Sequence, residues 1–378
     1  MTVHSIGTQA TGGHTGEAPE ENTSTGATLD AVLTQLVKQG GSDLHVTAGV
    51  APCWRKDGAL VPVPGWDRLM PEDTEYLINE VLSDEHWDQF LRDNELDVSY
   101  SIPGVSRFRL NVYRQRGSVG AAFRTIPQKI KSLHELGLPG SVEQFAHLPR
   151  GLVLVTGPTG SGKSTTLASL LDVANKTRYG HIVTIEDPIE YLHSHGTCVV
   201  NQREVGVDTK DFAAALRRVL RQDPDIILVG ELRDLETTSV AITAAETGHL
   251  VLATLHTQSA AATIDRIIDI YPPSQQQQIR AQLANCLQGV VTQALAPRKG
   301  GGRTLVCEIM VATSAIRNLV REAKVHQIPT FLQSSGDVGM ISFDQHLAQR
   351  YTEQLISQYD ALELCHEPNE FKRLARLV

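Results

Sequence analysis

The stretch Leu152-Val-Leu-Val-Thr-Gly157-Pro-Thr-Gly-Ser-Gly162-Lys163-Ser164-Thr165 decides how the rest of the chain is read. Its apolar start, Leu152–Thr156, has strand length, and the eight residues after it, Gly157–Ser164, fit G-x-x-x-x-G-K-[ST] at every position. A helix is expected from Lys163. Each residue type has a use. Glycines let the backbone turn with positive φ, so that N–H groups wrap phosphates. The helix N-terminus adds partial positive charge. Lys163 reaches the β and γ phosphates, and the Ser164 hydroxyl ligates Mg²⁺. The cradle is Gly157, Pro158, Thr159, Gly160, Ser161, Gly162, Lys163, Ser164 and Thr165. A glycine-rich turn with a chance lysine would need the strand and the helix to fall in register by accident.

Downstream, apolar strand-like runs alternate with helical ones. His181–Ile185 is followed by a helix over Asp211–Arg221, Ile226–Val229 by one over Thr237–Glu246, and then comes Leu250–Thr254. This alternation predicts an α/β fold, a mostly parallel sheet with helices on both faces. From Thr263 onward the pattern is largely helical. A Gly300-Gly301-Gly302 turn interrupts it, between Gln293–Pro297 and Arg303–Met310.

Ligands bind beyond the carboxyl ends of strands in such sheets, so the residues just after each strand are the candidates. Thr184-Ile-Glu186-Asp187-Pro188-Ile-Glu190-Tyr191 places three carboxylates after one strand. Asp225-Ile-Ile-Leu-Val-Gly230-Glu231 ends another, with Glu231 as a second phosphate-side acid and a candidate Mg²⁺ ligand beside Ser164. Here a glycine intervenes where the acid usually follows the apolar run directly. A surface Glu capping a helix is the plainer alternative, and chance acids in loops are common. His256 follows Leu250–Thr254, where a γ-phosphate sensor would sit. His249 precedes that strand and belongs at the opposite end.

Upstream, Met1 to about Ala27 has almost no large apolar side chain and reads as a disordered tail. A helix carrying Leu29, Val32, Leu33 and Leu36 ends at Gly40-Gly41. The strands Asp43–Val46, Ala51–Lys56 and Ala59–Val63 follow, the last two joined by an Asp57-Gly58 hairpin turn. A helix is expected over Glu72–Phe90, then strands over Val98–Ile102, Ser106–Tyr113 and Ser118–Arg124. This makes a small α+β domain over 28–126. Residues 127–139 read as a linker, in which Leu133 and Leu136 can pack, and 140–378 as the second domain.

Composition sets outer bounds. The chain has 378 residues, 41% hydrophobic and 20% charged, with a net charge of −9. That suits two globular domains and speaks against general binding to nucleic-acid backbone. No run spans a bilayer and no secretory signal is visible. Five scattered cysteines without a CxxC pair argue against a disulfide framework or a four-cysteine zinc site. A reducing cytoplasm fits best.

The blocks GPTGSGKST, TIEDPIEY, DPDIILVGELRD and TAAETGHLVLATLHT, in this order, resemble the secretion ATPases of type IV pili and type II secretion. SDLHVTAG, RFRLNVYRQRG, VNQREVG, HTQSAAATIDRIID and AIRNLVRE (Ala315–Glu322) resemble the pilus retraction ATPases, the PilT family. The resemblance runs from about Thr28 to about Leu364. It implies a PAS-like N-terminal domain, a RecA-like P-loop ATPase domain and a cytoplasmic homohexamer using ATP and Mg²⁺. It implies hydrolysis that powers pilus retraction through an inner-membrane platform protein at the base of the pilus, with a paralogous retraction ATPase as a further partner. Carried residue by residue, Glu190 is the general base with Glu186 nearby, Glu231 is the atypical Walker B acid, and His249 and His256 are the histidine-box pair. Arg109 and Arg124, with Arg107 close behind, would reach a neighbouring subunit's nucleotide. AIRNLVRE would serve retraction rather than hydrolysis. In it Arg317 and Arg321, four apart, share one helix face.

Four other readings stand beside this one. An assembly or export ATPase usually carries a longer N-terminal region and a tetracysteine motif, both missing here. An accessory retraction paralogue shares most of the boxes. A nucleic-acid motor conflicts with the acidic balance, and a passive nucleotide-binding module with an intact base and metal site.

Overall fold

The computed structural model describes residues 28–56, 59–127 and 129–377. The expected tail and the Asp57-Gly58 turn lie outside the described residues. The chain divides into two compact units. One ends at Val105 and takes in Leu110–Thr125; the other holds Ser106–Arg109 and everything from Ile126 onward.

The first unit begins with α1 (Leu29–Lys38), whose N-terminus is capped by the Thr28 hydroxyl and whose buried stripe is Leu29, Val32, Leu33 and Leu36. Then come β1 (Asp43–Val46), β2 (Cys53–Lys56), β3 (Ala59–Pro62), α2 (Pro71–Val81), α3 (Asp84–Asp93), β4 (Glu95–Ile102), β5 (Ser106–Gln115, its first four residues counted with the second unit) and β6 (Ser118–Thr125). The single helix expected over 72–90 is two helices. Ser83 stops the first by capping the second, its hydroxyl accepting from His86 N at 3.3 Å. The six strands lie in the order β3-β2-β1-β6-β5-β4.

The second unit runs through β7 (Gly151–Thr156), α4 (Lys163–Thr177), β8 (Gly180–Glu186), β9 (Cys198–Glu204), α5 (Phe212–Val219), β10 (Ile226–Val229), α6 (Leu235–Glu246) and β11 (Leu250–Leu255). It continues with α7 (Ala260–Asp269), α8 (Pro273–Cys286), β12 (Leu287–Pro297) and β13 (Arg303–Val311). The helices α9 (Ser314–Arg321), α10 (Ile328–Ser334), α11 (Phe343–Thr352), α12 (Gln358–Leu364) and α13 (Pro368–Leu374) complete it.

The seven strands of this unit lie in the order β13-β12-β7-β11-β10-β8-β9. All neighbours are parallel except β13, which pairs antiparallel with β12. Side-chain alternation sends Leu152 and Leu154 of β7 into one apolar layer with α5 to α9. It sends Val153 and Val155 into the other, with Leu167, Leu170, Leu171 and Ala174 of α4. The sheet therefore has helices on both faces, and the fold is α/β as expected.

Two strand regions differ from the sequence pattern. β9 lies where the pattern predicts no strand, and β12–β13 is a long hairpin within a stretch whose pattern is largely helical. Leu133 and Leu138, within the stretch read as a linker, are buried in the second apolar layer. The Ser169 hydroxyl of α4 donates to Lys131 O at 2.7 Å. Among the described residues, no helix is long and apolar enough to cross a membrane.

Candidate nucleotide site

The sheet order makes β8, β10, β11 and β7 consecutive neighbours, and each is followed by one of the marked loops. Parallel pairing puts those four loops at the same edge. A cleft of about 510 Å³ opens there. It is lined by Thr159, Gly160, Gly162, Lys163, Ser164 and Thr165, by Glu186, Asp187, Pro188, Glu190 and Tyr191, and by Glu231 and His256.

The loop after β7 has the shape a phosphate cradle needs. Gly157 has φ of 137°, and a Cβ there would lie 2.2 Å from Gln293 O, so only glycine fits. Gln293 of β12 anchors the loop: its Nε2 donates to Ser161 O at 2.7 Å, and its Oε1 accepts from Thr166 at 2.9 Å. The Ser161 hydroxyl is buried without a hydrogen-bond partner. Lys163 Nζ folds back on Gly157 O at 2.9 Å and Pro158 O at 3.1 Å. Burial pulls the Lys163 ammonium below its usual range, while Glu231 and Glu190 act to hold its proton.

Glu231 is fixed between Arg233 and His256. Its Oε2 lies 2.8 Å from Arg233 Nη2, and its Oε1 3.1 Å from His256 Nε2. Burial opposes the charge, but Arg233 and His256 outweigh it and hold the carboxyl below the usual range. The carboxylate is therefore anionic. The intervening Gly230 is where backbones converge: its N–H donates to Ile185 O at 2.8 Å, and a Cβ would lie 3.2 Å from that oxygen. The unusual Gly-Glu order thus serves strand packing. Arg233 has no role in the sequence reading. Its signal was its place two residues after Glu231 at the end of a strand.

The acidic box divides by environment. Glu190 is exposed on the cleft. Glu186 is tucked under the loop, accepting from Thr184 at 2.6 Å and Gln202 at 3.1 Å. Burial raises its pKa, against the pull of those two donors. Tyr191 OH meets the Thr165 hydroxyl at 2.9 Å and so ties the box to α4. His193 also lines the cleft, and burial pushes it down to about 4.

The remaining predicted residues lie elsewhere. His249 is at the other end of β11, its Nδ1 3.0 Å from Ala244 O in the last turn of α6, and it does not line the cleft. Arg124 of β6 pairs with Asp43 at 2.8 Å, with most of its side chain exposed. Arg109 is exposed on β5. Neither lines the cleft.

The residues present fit a divalent cation. The Ser164 hydroxyl and the anionic Glu231 face the same cleft beside Lys163, the hard oxygen donors that Mg²⁺ takes.

The profile of the Type II/IV secretion system protein family matches residues 120–360. The chain belongs to that family. It is 49% identical over 343 residues to the type IV pilus retraction ATPase PilT of Pseudomonas aeruginosa, covering 91% of this chain and 99% of that one. It is 40% identical over 350 residues to the type IV pilus ATPase PilU of the same organism, covering 92% and 91%. A crystal structure of the pilus retraction motor PilT with bound ADP superposes with a TM-score of 0.85 at 48% identity, over 92% of this chain and 99% of that one. For a member of this family, the described cleft lies where a phosphate loop and its acids converge.

Proposed function

We propose that this chain is an ATP-hydrolysing motor that powers type IV pilus retraction. The observation that carries the reading is the convergence of Lys163, Ser164, Glu190, Glu231 and His256 on one cleft, in a chain alike to PilT over nearly its whole length.

Lys163 and the loop N–H groups bind the β and γ phosphates of ATP. Ser164 and Glu231 would hold Mg²⁺, which supplies positive charge against the phosphates. Glu190 takes the proton of the attacking water, and its exposure on the cleft gives it access. Glu186, shielded and held by neighbours, sets the shape of the box. His256 and Arg233 orient Glu231. In a homohexamer, Arg109 and Arg124 would come from an adjoining copy to meet transition-state charge. The motion would act on an inner-membrane platform protein from the cytoplasmic side. Nucleic acid is not a partner in this reading.

Deletion of the encoding gene tests retraction directly. Loss of surface motility with excess pili is the expected result; loss of pili would overturn retraction in favour of assembly. The 40% identity to PilU keeps an accessory retraction role as a second reading. Complementation by this chain alone, in a strain lacking every retraction ATPase, separates the two.

A further inference from the structure

β9, the strand the sequence pattern did not place, holds the acidic box. Gln202 Nε2 donates to Glu186 Oε1 at 3.1 Å and to Tyr191 O at 2.9 Å, and Gln202 Oε1 accepts from His193 N at 2.8 Å. Glu204, at the end of the same strand, is 3% exposed. Its Oε2 accepts from Ile189 N at 2.9 Å and lies 3.1 Å from Arg107 Nη2. Arg107 belongs to the Ser106–Arg109 stretch of the second unit, so the pair lies within that unit.

An ion pair buried this deeply fixes the geometry of its carboxylate, and removing the cation loosens it. Without Arg107, Glu204 would lose this ion pair, and its grip on Ile189 N–H would weaken. Ile189 immediately precedes Glu190, so any backbone shift at Ile189 moves the Glu190 carboxylate over the cleft. Arg107 therefore differs from Arg109 and Arg124, with which the sequence groups it.

We propose that Arg107 and Glu204 are a positioning pair for the ATPase site, which sets the acidic box so that Glu190 meets the attacking water. The proposal rests on Glu190 as general base. A pair that only supports packing would cost stability without acting through Glu190.

The test is single-turnover ATP hydrolysis by the full chain, alongside binding of a fluorescent ATP analogue. Arg107→Ala should slow hydrolysis roughly 10- to 100-fold, because small misplacements of a reacting group cost that much. The analogue's Kd should change by less than about twofold. Arg107→Lys should recover most of the rate. The double variant Arg107→Ala/Glu190→Gln should be no slower than Glu190→Gln alone, since the pair acts through that carboxylate. Hydrolysis by Arg107→Ala at the wild-type rate overturns the proposal. So does a loss confined to Kd, or one that adds in full to that of Glu190→Gln. Should Arg107→Ala not fold, Glu204→Gln serves in its place: it keeps an oxygen for Ile189 N–H, drops the charge and is expected to be slowed, and a wild-type rate contradicts the pair. Glu190→Gln alone scores the general-base reading separately, because wild-type hydrolysis there removes that reading whatever Arg107→Ala does.

Discussion

The two ends of the parallel sheet use the same residue types in opposite ways. At the carboxyl end, charged side chains meet one another: Glu231 sits between Arg233 and His256, and Lys163 lies near Glu231 and Glu190. At the amino end, charged and polar side chains are consumed by backbone. His249 Nδ1 lies against Ala244 O at the end of α6. Arg317 donates to Ala284 O at 2.6 Å and Asn285 O at 2.8 Å at the end of α8, to Ala312 O at 2.9 Å and to Gln288 Oε1 at 3.1 Å. The carbonyls of Ala244, Ala284 and Asn285 are helix-end acceptors without an intrahelical donor. A histidine or arginine at one end is chemistry, and at the other it is a cap.

Four experiments would break or sharpen that contrast. The largest effect is expected at Glu190, where Glu190→Gln should lower turnover by roughly 10²- to 10⁴-fold in a phosphate-release assay, the range for a lost general base. The histidine pair comes next. His256→Ala should lower turnover by about tenfold by loosening Glu231. His249→Ala should leave turnover intact and cost about 1 kcal/mol in a denaturant melt. Equal kinetic losses in the two would erase the difference between the ends.

Arg317→Ala should destabilise the chain by about 2 kcal/mol, because it orphans the last carbonyls of α8. ATP turnover per folded molecule should be unchanged. Arg321, exposed on α9, should show neither effect when changed to Ala.

The smallest effect concerns a histidine at neither end. His346 of α11 accepts from Cys307 N at 2.9 Å, and burial pushes it down to about 4 from 6.5. The unfolded chain therefore takes up this proton first on acidification. Stability is full above about pH 6.5 and falls toward about pH 4, by ~1 kcal/mol between pH 6.5 and 5.5 from this one group. His346→Asn keeps an acceptor for Cys307 N–H and should flatten that part of the pH dependence of Tm.

Much of this was legible in the sequence, for reasons the structure makes plain. β7, β10 and β11 are buried throughout, so their apolar runs carry a clear signal. Strand direction then separated His256 from His249 without any contact being known. β9 was hidden because its buried positions include Glu204, and its half-buried Gln202 and Arg203 add polar residues that read as a loop. The β12–β13 hairpin was partly masked in the same way, with Thr292, Gln293 and Glu308 buried among its apolar residues. Two arginines show the limit of spacing. Arg317 and Arg321 are four apart on α9, yet one is bonded to α8 and the other is exposed, because the last turn of α8 faces only one of them. Spacing ranks Arg107 just behind Arg109 and Arg124, and it does not show that Glu204 takes Arg107.

The most direct measurement is steady-state phosphate release from Mg²⁺–ATP by the purified chain and by Lys163→Ala. The account predicts turnover by the wild type, dependent on the divalent cation, and a loss of at least about 10³-fold in the variant, because among the described residues lining this cleft Lys163 is the only lysine to supply a side-chain ammonium to the phosphates. Undiminished turnover by Lys163→Ala would contradict it.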